Sequence, residues 1–318
     1  MIGSKETNGG TKGVINKIRF MTGLDYETVL SQVPSNSKVT ICTYDVYGDD
    51  SFFKRTLGHL QDCELIVNRI VPRDKEFFKC ELPNVRVRVC EGEKGTHAKM
   101  ILISPDTVYL SSQNFSMADW FQHAVCIQDK DVYNHYYKCL QEYVNKGITG
   151  NILGQKKDVY DISLFQTNGL GNYKPDLWGI EELNVDVILA KSVNWNQKFN
   201  NVRDRHIVIC TQTLPNMDYV RTMISKLLGE NNKICIIAHY DAGFRLEALK
   251  NEFPSIKTYI YNNFHAKMVL IEKDIVWLSS QNFGTSTWFE NTIRIKNQKA
   301  YNYYVHKLEE FIGHGVWD

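Results

Sequence analysis

The sequence predicts an α/β protein made of two similar α-β-α sandwich halves with mixed sheets, related by a pseudo-twofold internal duplication. Three observations predict it. The stretch His97 to Phe115, HAKMILISPDTVYLSSQNF, returns 168 residues later as His265 to Phe283, HAKMVLIEKDIVWLSSQNF, with fourteen of nineteen positions identical. Two short half-buried strands do not share that much by chance, so the chain is an internal repeat. Strand and helix patterns alternate around both copies, as α/β layers require. Each copy is followed, at the same offset, by a long amphipathic run, Val132 to Gly147 and Ala300 to Gly315, read as a closing helix ended by a glycine cap.

In chain order, residues 1–13 are rich in Gly, Lys and Thr and read as a disordered N-terminus. The first half is placed at 14–150, a connector at 151–181, and the second half at 182–318. Asp25 to Ser31 opens a short helix. Lys38 to Thr43 is the first repeated strand, with His206 to Thr211 as its counterpart. Helices are expected at Phe52 to Gln61 and Tyr219 to Leu228, and strands at Glu64 to Val67 and Lys233 to Ile237. Val85 to Val89 places Arg86 and Arg88 on one face of a strand, either as a solvated edge or as a phosphate-contacting one. Its mate, Lys257 to Tyr261, carries aromatics. Trp120-Phe121 and Trp288-Phe289 are read as packing beneath the repeated motif.

Composition excludes several classes. Thirty-seven basic residues against thirty-six acidic ones give a net charge of +1, so no global field recruits polyanions, and any nucleic-acid contact is a local patch. The eight cysteines form no CxxC pair and no zinc spacing, and several sit in apolar runs where a thiol packs as a small hydrophobe. Neither metal nor cofactor is expected. The N-terminus lacks the apolar centre of a signal peptide, and no apolar run approaches ~20 residues. A soluble cytoplasmic protein is the expectation.

The chemistry sits in the repeat. His97 and Lys99, like His265 and Lys267, stand two apart, so on a strand both face one side. After a turn at Ser104 to Asp106, or Glu272 to Asp274, the returning strand offers Ser112 and Asn114, or Ser280 and Asn282. An imidazole, a cation, an amide and a hydroxyl from each half suit a phosphate.

This spacing resembles the signature of the phospholipase D superfamily, whose fold joins two such halves around one active site. The Asp that the family places five residues after the Lys is here Ser104 and Glu272, and its Gly before the Ser is Ser111 and Ser279. Absence of that Asp from both halves is similar to the nuclease and tyrosyl-DNA phosphodiesterase-like branch. The resemblance implies a metal-independent phosphodiesterase, a nuclease or nucleic-acid end-processing enzyme, working through a phosphohistidine. His97, Lys99, Asn114, His265, Lys267 and Asn282 would form its catalytic set, with Ser112, Ser280, Arg86 and Arg88 binding substrate. Gln122 and Glu290 align two residues beyond the shared Trp, where the family places the partner of a catalytic His. A neutral Gln leaves an imidazole nucleophilic and a carboxylate keeps one protonated. On that reasoning His97 with Gln122 is expected as nucleophile, and His265 with Glu290 as acid.

The expected partner is nucleic acid, for which local basic stretches such as Lys12 to Arg19 and Arg86/Arg88 speak, with DNA favoured over RNA. No membrane is expected, and no oligomer is needed for a site complete in one chain. The rival readings are a phospholipid hydrolase or phosphatidyl transferase, and a phosphate-binding module without catalysis.

Overall fold

The computed structural model describes residues 14–90, 95–117, 120–146, 157–168, 174–176, 182–189 and 192–318. The expected disorder of residues 1–13 and most loops of the 151–181 connector lie outside these residues. The first half runs β1 (Val14–Met21), α1 (Tyr26–Ser31), β2 (Lys38–Tyr47), α2 (Asp50–Leu57), β3 (Asp62–Arg69), α3 (Pro72–Glu81), β4 (Val85–Val89), β5 (Met100–Ile103), β6 (Thr107–Ser111), β7 (Phe115–Ser116), β8 (Ala124–Gln128) and α4 (Lys130–Lys146). Within the connector lie β9 (Lys157–Asn168) and β10 (Lys174–Asp176). The second half runs β11 (Glu182–Leu189), α5 (Trp195–Lys198), β12 (His206–Thr211), α6 (Met217–Gly229), β13 (Lys233–His239), α7 (Gly243–Glu252), β14 (Lys257–Tyr261), β15 (Met268–Ile271), β16 (Ile275–Ser279), β17 (Asn291–Lys296) and α8 (Gln298–Ile312).

Strand pairing displays the duplication directly. Neighbours in the sheet run β4-β3-β2-β5-β6-β8-β1, then β9, then β11-β17-β16-β15-β12-β13-β14, which is the same order reflected about β9. In each half the outer strands pair in parallel and the hairpin strands antiparallel. The mixed α/β sandwich expected from the sequence is the fold observed. Helices α3 and α7, and strands β8 and β17, were not read from the sequence.

The strands carry near-continuous apolar runs because both of their faces are covered. Along β5, Met100 and Leu102 face a central core while Ile101 and Ile103 face the outer core of the first half. Along β15, Met268 and Leu270 face the same central core, and Val269 and Ile271 an outer core of their own. Helices α4 and α8 lie in the central layer, so the halves share one interior: Tyr143 of α4 stacks on Phe289 at 4.5 Å, and the Tyr304 hydroxyl of α8 donates to the Ala124 carbonyl at 3.2 Å. Asp25 caps α1 by accepting from the Thr28 N–H. Helix α8 ends at Ile312, and Gly313 at φ 82° supplies the left-handed cap expected at Gly315.

Candidate active site

The motif histidines and lysines precede β5 and β15 instead of lying on them. The backbone there leaves its own sheet to bond to the other half. His97 and Ala98 N–H groups both donate to the Phe289 carbonyl at 2.8 Å, and Phe289 N–H donates to the Gly95 carbonyl at 3.1 Å. In mirror fashion, His265 N–H donates to the Phe121 carbonyl at 2.9 Å and Phe121 N–H to the Asn263 carbonyl at 2.8 Å. Phe121 stacks on Phe264 beneath this junction, 5.5 Å apart and nearly parallel. Two isolated bridges thus sew the halves together at the chemical site.

Those bridges dictate which side chain meets which histidine. Gln122 follows Phe121 and therefore reaches His265, whose Nδ1–H donates to Gln122 Oε1 at 2.9 Å. Glu290 follows Phe289 and reaches His97, whose Nδ1–H donates to Glu290 Oε2 at 3.2 Å. The pairing expected from the sequence, His97 with Gln122 and His265 with Glu290, is corrected: each histidine takes its partner from the opposite half. A register of single bridged residues leaves no periodic trace by which sequence could reveal it.

Protonation also differs from the expectation. His97 is held down to about 4, because burial and the neighbouring Lys99 outweigh the pull of Glu290. A carboxylate in contact is therefore insufficient here to keep an imidazole charged. Glu290 itself stays ionised, below its ordinary value despite burial, because His97, Lys99 and Ser280 favour its charge. Ser280 Oγ donates to Glu290 Oε2, and Ser286 Oγ donates to Oε1 at 2.8 Å. His97 is thus a neutral ring with Nδ1–H fixed on a carboxylate and Nε2 unprotonated. His265 is pushed well below its usual value by burial, then by Lys267 and Lys99. Lys267 Nζ stands 3.1 Å from His265 Nε2. Burial lowers Lys99 to about 8 and Lys267 well below the usual lysine range.

Asn282 Oδ1 accepts from the Gln212 and Thr213 N–H groups, both at 3.1 Å, and from Thr211 Oγ1 at 3.3 Å. With the acceptor end so occupied, the amide turns its donor end away from that turn. Asn114 differs: its Oδ1 is buried and has no hydrogen-bond partner among the described residues. Ser112 and Ser280, expected to bind substrate, are fully buried and hold the partners of the histidines. Ser112 Oγ accepts from His123 N–H at 3.0 Å and donates to Gln122 Oε1 at 3.4 Å. Ser280 Oγ accepts from Asn291 N–H at 2.9 Å. Arg86 and Arg88, also expected to bind substrate, are ion-paired along the sheet edge with Asp62 at 2.8 Å and Glu64 at 2.5 Å. The solvated-edge alternative describes them better.

Four residues went unassigned to the site. Asn291 Oδ1 accepts the Lys99 N–H at 2.7 Å, and His123, its counterpart in the first half, donates from Nε2 to the Ser279 carbonyl at 2.9 Å. Tyr44 packs edge-on against His97 and stacks on Trp288, each at 5.3 Å, while Arg69 hydrogen-bonds Tyr44 at the rim. The expectation for the aromatic pairs divides: Phe121 and Phe289 pack beneath, but Trp120 and Trp288 are rim residues. Trp120 stacks on His239 at 5.2 Å and leans on His265 at 5.9 Å. A cavity of about 370 Å³ opens beside His97, between the turn after β12 and the loop after β16.

No protein-family model and no curated protein matches the sequence. Solved structures do. The fold is similar to that of a phosphatidylserine synthase from Haemophilus influenzae Rd KW20, with a TM-score of 0.65 at 12% identity, over 92% of this chain and 85% of that one. It is also similar to a polyphosphate kinase from Porphyromonas gingivalis, with a TM-score of 0.56 at 12% identity. That match covers 89% of this chain and 44% of the kinase, so the chain spans less than half of that protein. At this identity the likeness establishes the two-half, phospholipase D-like fold. Among the described residues, no helix is long and apolar enough to cross a membrane.

Proposed function

We propose that this protein is a metal-independent phosphodiesterase that works through a phosphohistidine, acting on a nucleic-acid end or a short diester. The observation that carries the reading is the pair of crossed dyads, His97–Glu290 and His265–Gln122, each beside a buried lysine in one site. His97 Nε2 attacks phosphorus, forming an N–P bond as the P–O bond to the leaving alcohol breaks. His265 Nε2–H gives its proton to that oxygen. Water then attacks phosphorus, the N–P bond breaks, and His265 takes the proton from water. His97 remains the nucleophile for a reason opposite to the one read from sequence. Its carboxylate partner fixes the tautomer and balances the positive charge that the ring acquires on attack. Lys99, Lys267 and the donor end of Asn282 suit the equatorial oxygens. The anionic diester offsets the lysine charges that depress His265, so the proton that His265 donates is held only while substrate is bound.

Support for ends or short diesters over long strands is electrostatic: the net charge is +1, and Arg86 and Arg88 are already neutralised. A second reading, an amphiphilic diester, rests on an exposed apolar patch on the His265 side. Tyr240, Phe244 and Ile260 are 69%, 86% and 44% exposed, next to His239 under Trp120. The structural neighbour described as a phosphatidylserine synthase fits that reading.

The test is turnover of bis(p-nitrophenyl) phosphate in EDTA, with the intermediate trapped at alkaline quench and located by mass spectrometry. An adduct on His97, absent from His97→Ala and accumulating in His265→Ala, is expected. An adduct on His265 that survives His97→Ala would reverse the roles. Parallel assays on single-stranded oligonucleotides and on phospholipid vesicles decide between the two substrate readings.

A further inference from the structure

The cavity beside His97 has a chemistry that the catalytic reading does not use. Thr213 and Pro215 from the turn after β12 form one wall, and Thr285, Thr287 and Trp288 from the loop after β16 form the other. Gln281, Asn282, Ser286 and Glu290 also line it. Among the described residues its lining contains no lysine or arginine, and its one charged residue is a carboxylate. Its volume, about 370 Å³, lies at the small end of ligand sites, which run roughly 300–1,000 Å³. Four hydroxyl residues (Thr213, Thr285, Ser286 and Thr287) and the amides of Gln281 and Asn282, beside the Trp288 indole, suit an uncharged group that carries hydroxyls and a flat or apolar side. A second phosphate placed here would find no cation among the lining residues and would be repelled by Glu290.

In-line displacement fixes which part of a diester occupies it. Attacking nitrogen and leaving oxygen stand on opposite sides of phosphorus, so with His97 attacking, the leaving group departs toward His265. The cavity adjoins His97, and an ester substituent seated there stays on the phosphoryl group when the leaving alcohol is gone.

We infer that this cavity is the specificity site for the retained ester group, and that it takes an uncharged, hydroxyl-bearing substituent of sugar or glycerol type while rejecting one that bears a further phosphate. This rests on the two-histidine reading. The consequence is that the phosphoenzyme is a diester to a neutral alcohol, and that the interior of a polyanionic strand is a poor substrate.

The experiment compares four p-nitrophenyl phosphodiesters in EDTA, all with the same leaving group. Their second esters are methyl, glyceryl, thymidin-5′-yl, and thymidin-5′-yl carrying a 3′-phosphate. At least a 10-fold higher kcat/KM is expected for the glyceryl or thymidinyl ester over methyl, and at least a 10-fold loss on adding the 3′-phosphate. The better of the two neutral arms names the source of the group. Thr285→Lys, which places a cation at the mouth, is expected to narrow the 3′-phosphate penalty. Equal turnover of all four, or faster turnover of the phosphorylated one, overturns the specificity site and leaves the phosphodiesterase reading standing. No p-nitrophenol release from any of them, by folded wild-type protein, overturns the phosphodiesterase reading itself.

Discussion

Replacing Glu290 by Gln isolates charge from geometry. With its oxygen where Oε2 stands, the amide can still accept from His97 Nδ1–H, now 3.2 Å from the carboxylate, and from Ser280 Oγ, while its NH2 takes the place of Oε1 and donates to Ser286 Oγ, so the ring keeps its tautomer and aim. On the proposed mechanism, what disappears is the negative charge facing a ring that turns cationic as its Nε2 bonds to phosphorus. Two unit charges about 4 Å apart interact by about 4 kcal/mol at an effective dielectric constant near 20. With between half and all of the charge developed at the transition state, the loss is about 2–4 kcal/mol, or roughly 30- to 10³-fold in kcat/KM. The assay is p-nitrophenol release from a small aryl diester at pH 7.5 in EDTA, with far-ultraviolet circular dichroism to confirm folding. Ring titration by NMR adds a second readout: Glu290→Gln lowers the His97 value from about 4 and leaves His265 in place. Activity within threefold of wild type, or a shift confined to His265, refutes both the crossed pairing and the charge-balancing role.

Acid should destabilise the fold through its neutral histidines. His97 titrates at about 4 and His123 at about 3, both depressed mainly by burial, against about 6.5 in the unfolded chain. Below that value the unfolded chain binds protons that the native one refuses, so stability falls as pH drops from about 6.5 toward the folded values. At pH 5 this amounts to roughly 2 kcal/mol per histidine. Urea denaturation at pH 7 and pH 5 measures it, and His123→Gln should flatten the dependence; a pH-independent midpoint contradicts the buried neutral state. At the sheet edge, Arg86→Ala breaks an exposed pair and is expected to cost under about 0.5 kcal/mol. Arg88→Ala strips the counter-charge from Glu64, whose side chain is 4% exposed, and is expected to cost about 1–3 kcal/mol. Unchanged kcat/KM in both would agree with their distance from the chemistry; a loss above tenfold in either would return them to substrate binding.

The parts of this molecule that sequence revealed are those written in periodic or repeated form. Apolar runs announced β2, β12 and the closing helices, and a near-identical nineteen-residue copy announced the duplication. The 168-residue offset between the motif copies also separates Val14, where β1 begins, from Glu182, where β11 begins. The crossing of partners was illegible because it depends on Phe289 and Phe121 each bridging one residue of the other half. Ser112 and Ser280 misled for a related reason. A hydroxyl near a phosphate site reads as a ligand, and only burial shows that it serves Gln122 and Glu290. Trp120 and Phe121 are adjacent aromatics, yet one lies at the rim and the other in the core, because a bridged backbone turns successive side chains to opposite sides.

A duplicated site starts with two equivalent histidines, whereas phosphoryl transfer needs one to attack and the other to donate. The symmetry is broken here by few positions: Glu290 against Gln122, Asn291 against His123, and Tyr44 against Gln212. Because partners cross, Glu290 and Gln122 each act on the histidine of the opposite half, whereas Tyr44 packs on His97 of its own half. Exchanging the two partners, Gln122→Glu with Glu290→Gln, therefore asks whether the carboxylate alone assigns the nucleophile. His265 would gain the charge-balancing group, yet remain neutral at pH 7 under the influence of burial, Lys267 and Lys99. The trapped adduct is then expected on His265, identified by mass spectrometry after alkaline quench, with turnover below wild type because the cavity still adjoins His97. An adduct that stays on His97 would show that the carboxylate follows the assignment instead of making it. The Tyr44–Trp288 packing around His97, and the retained-group cavity beside it, would then set the direction of attack.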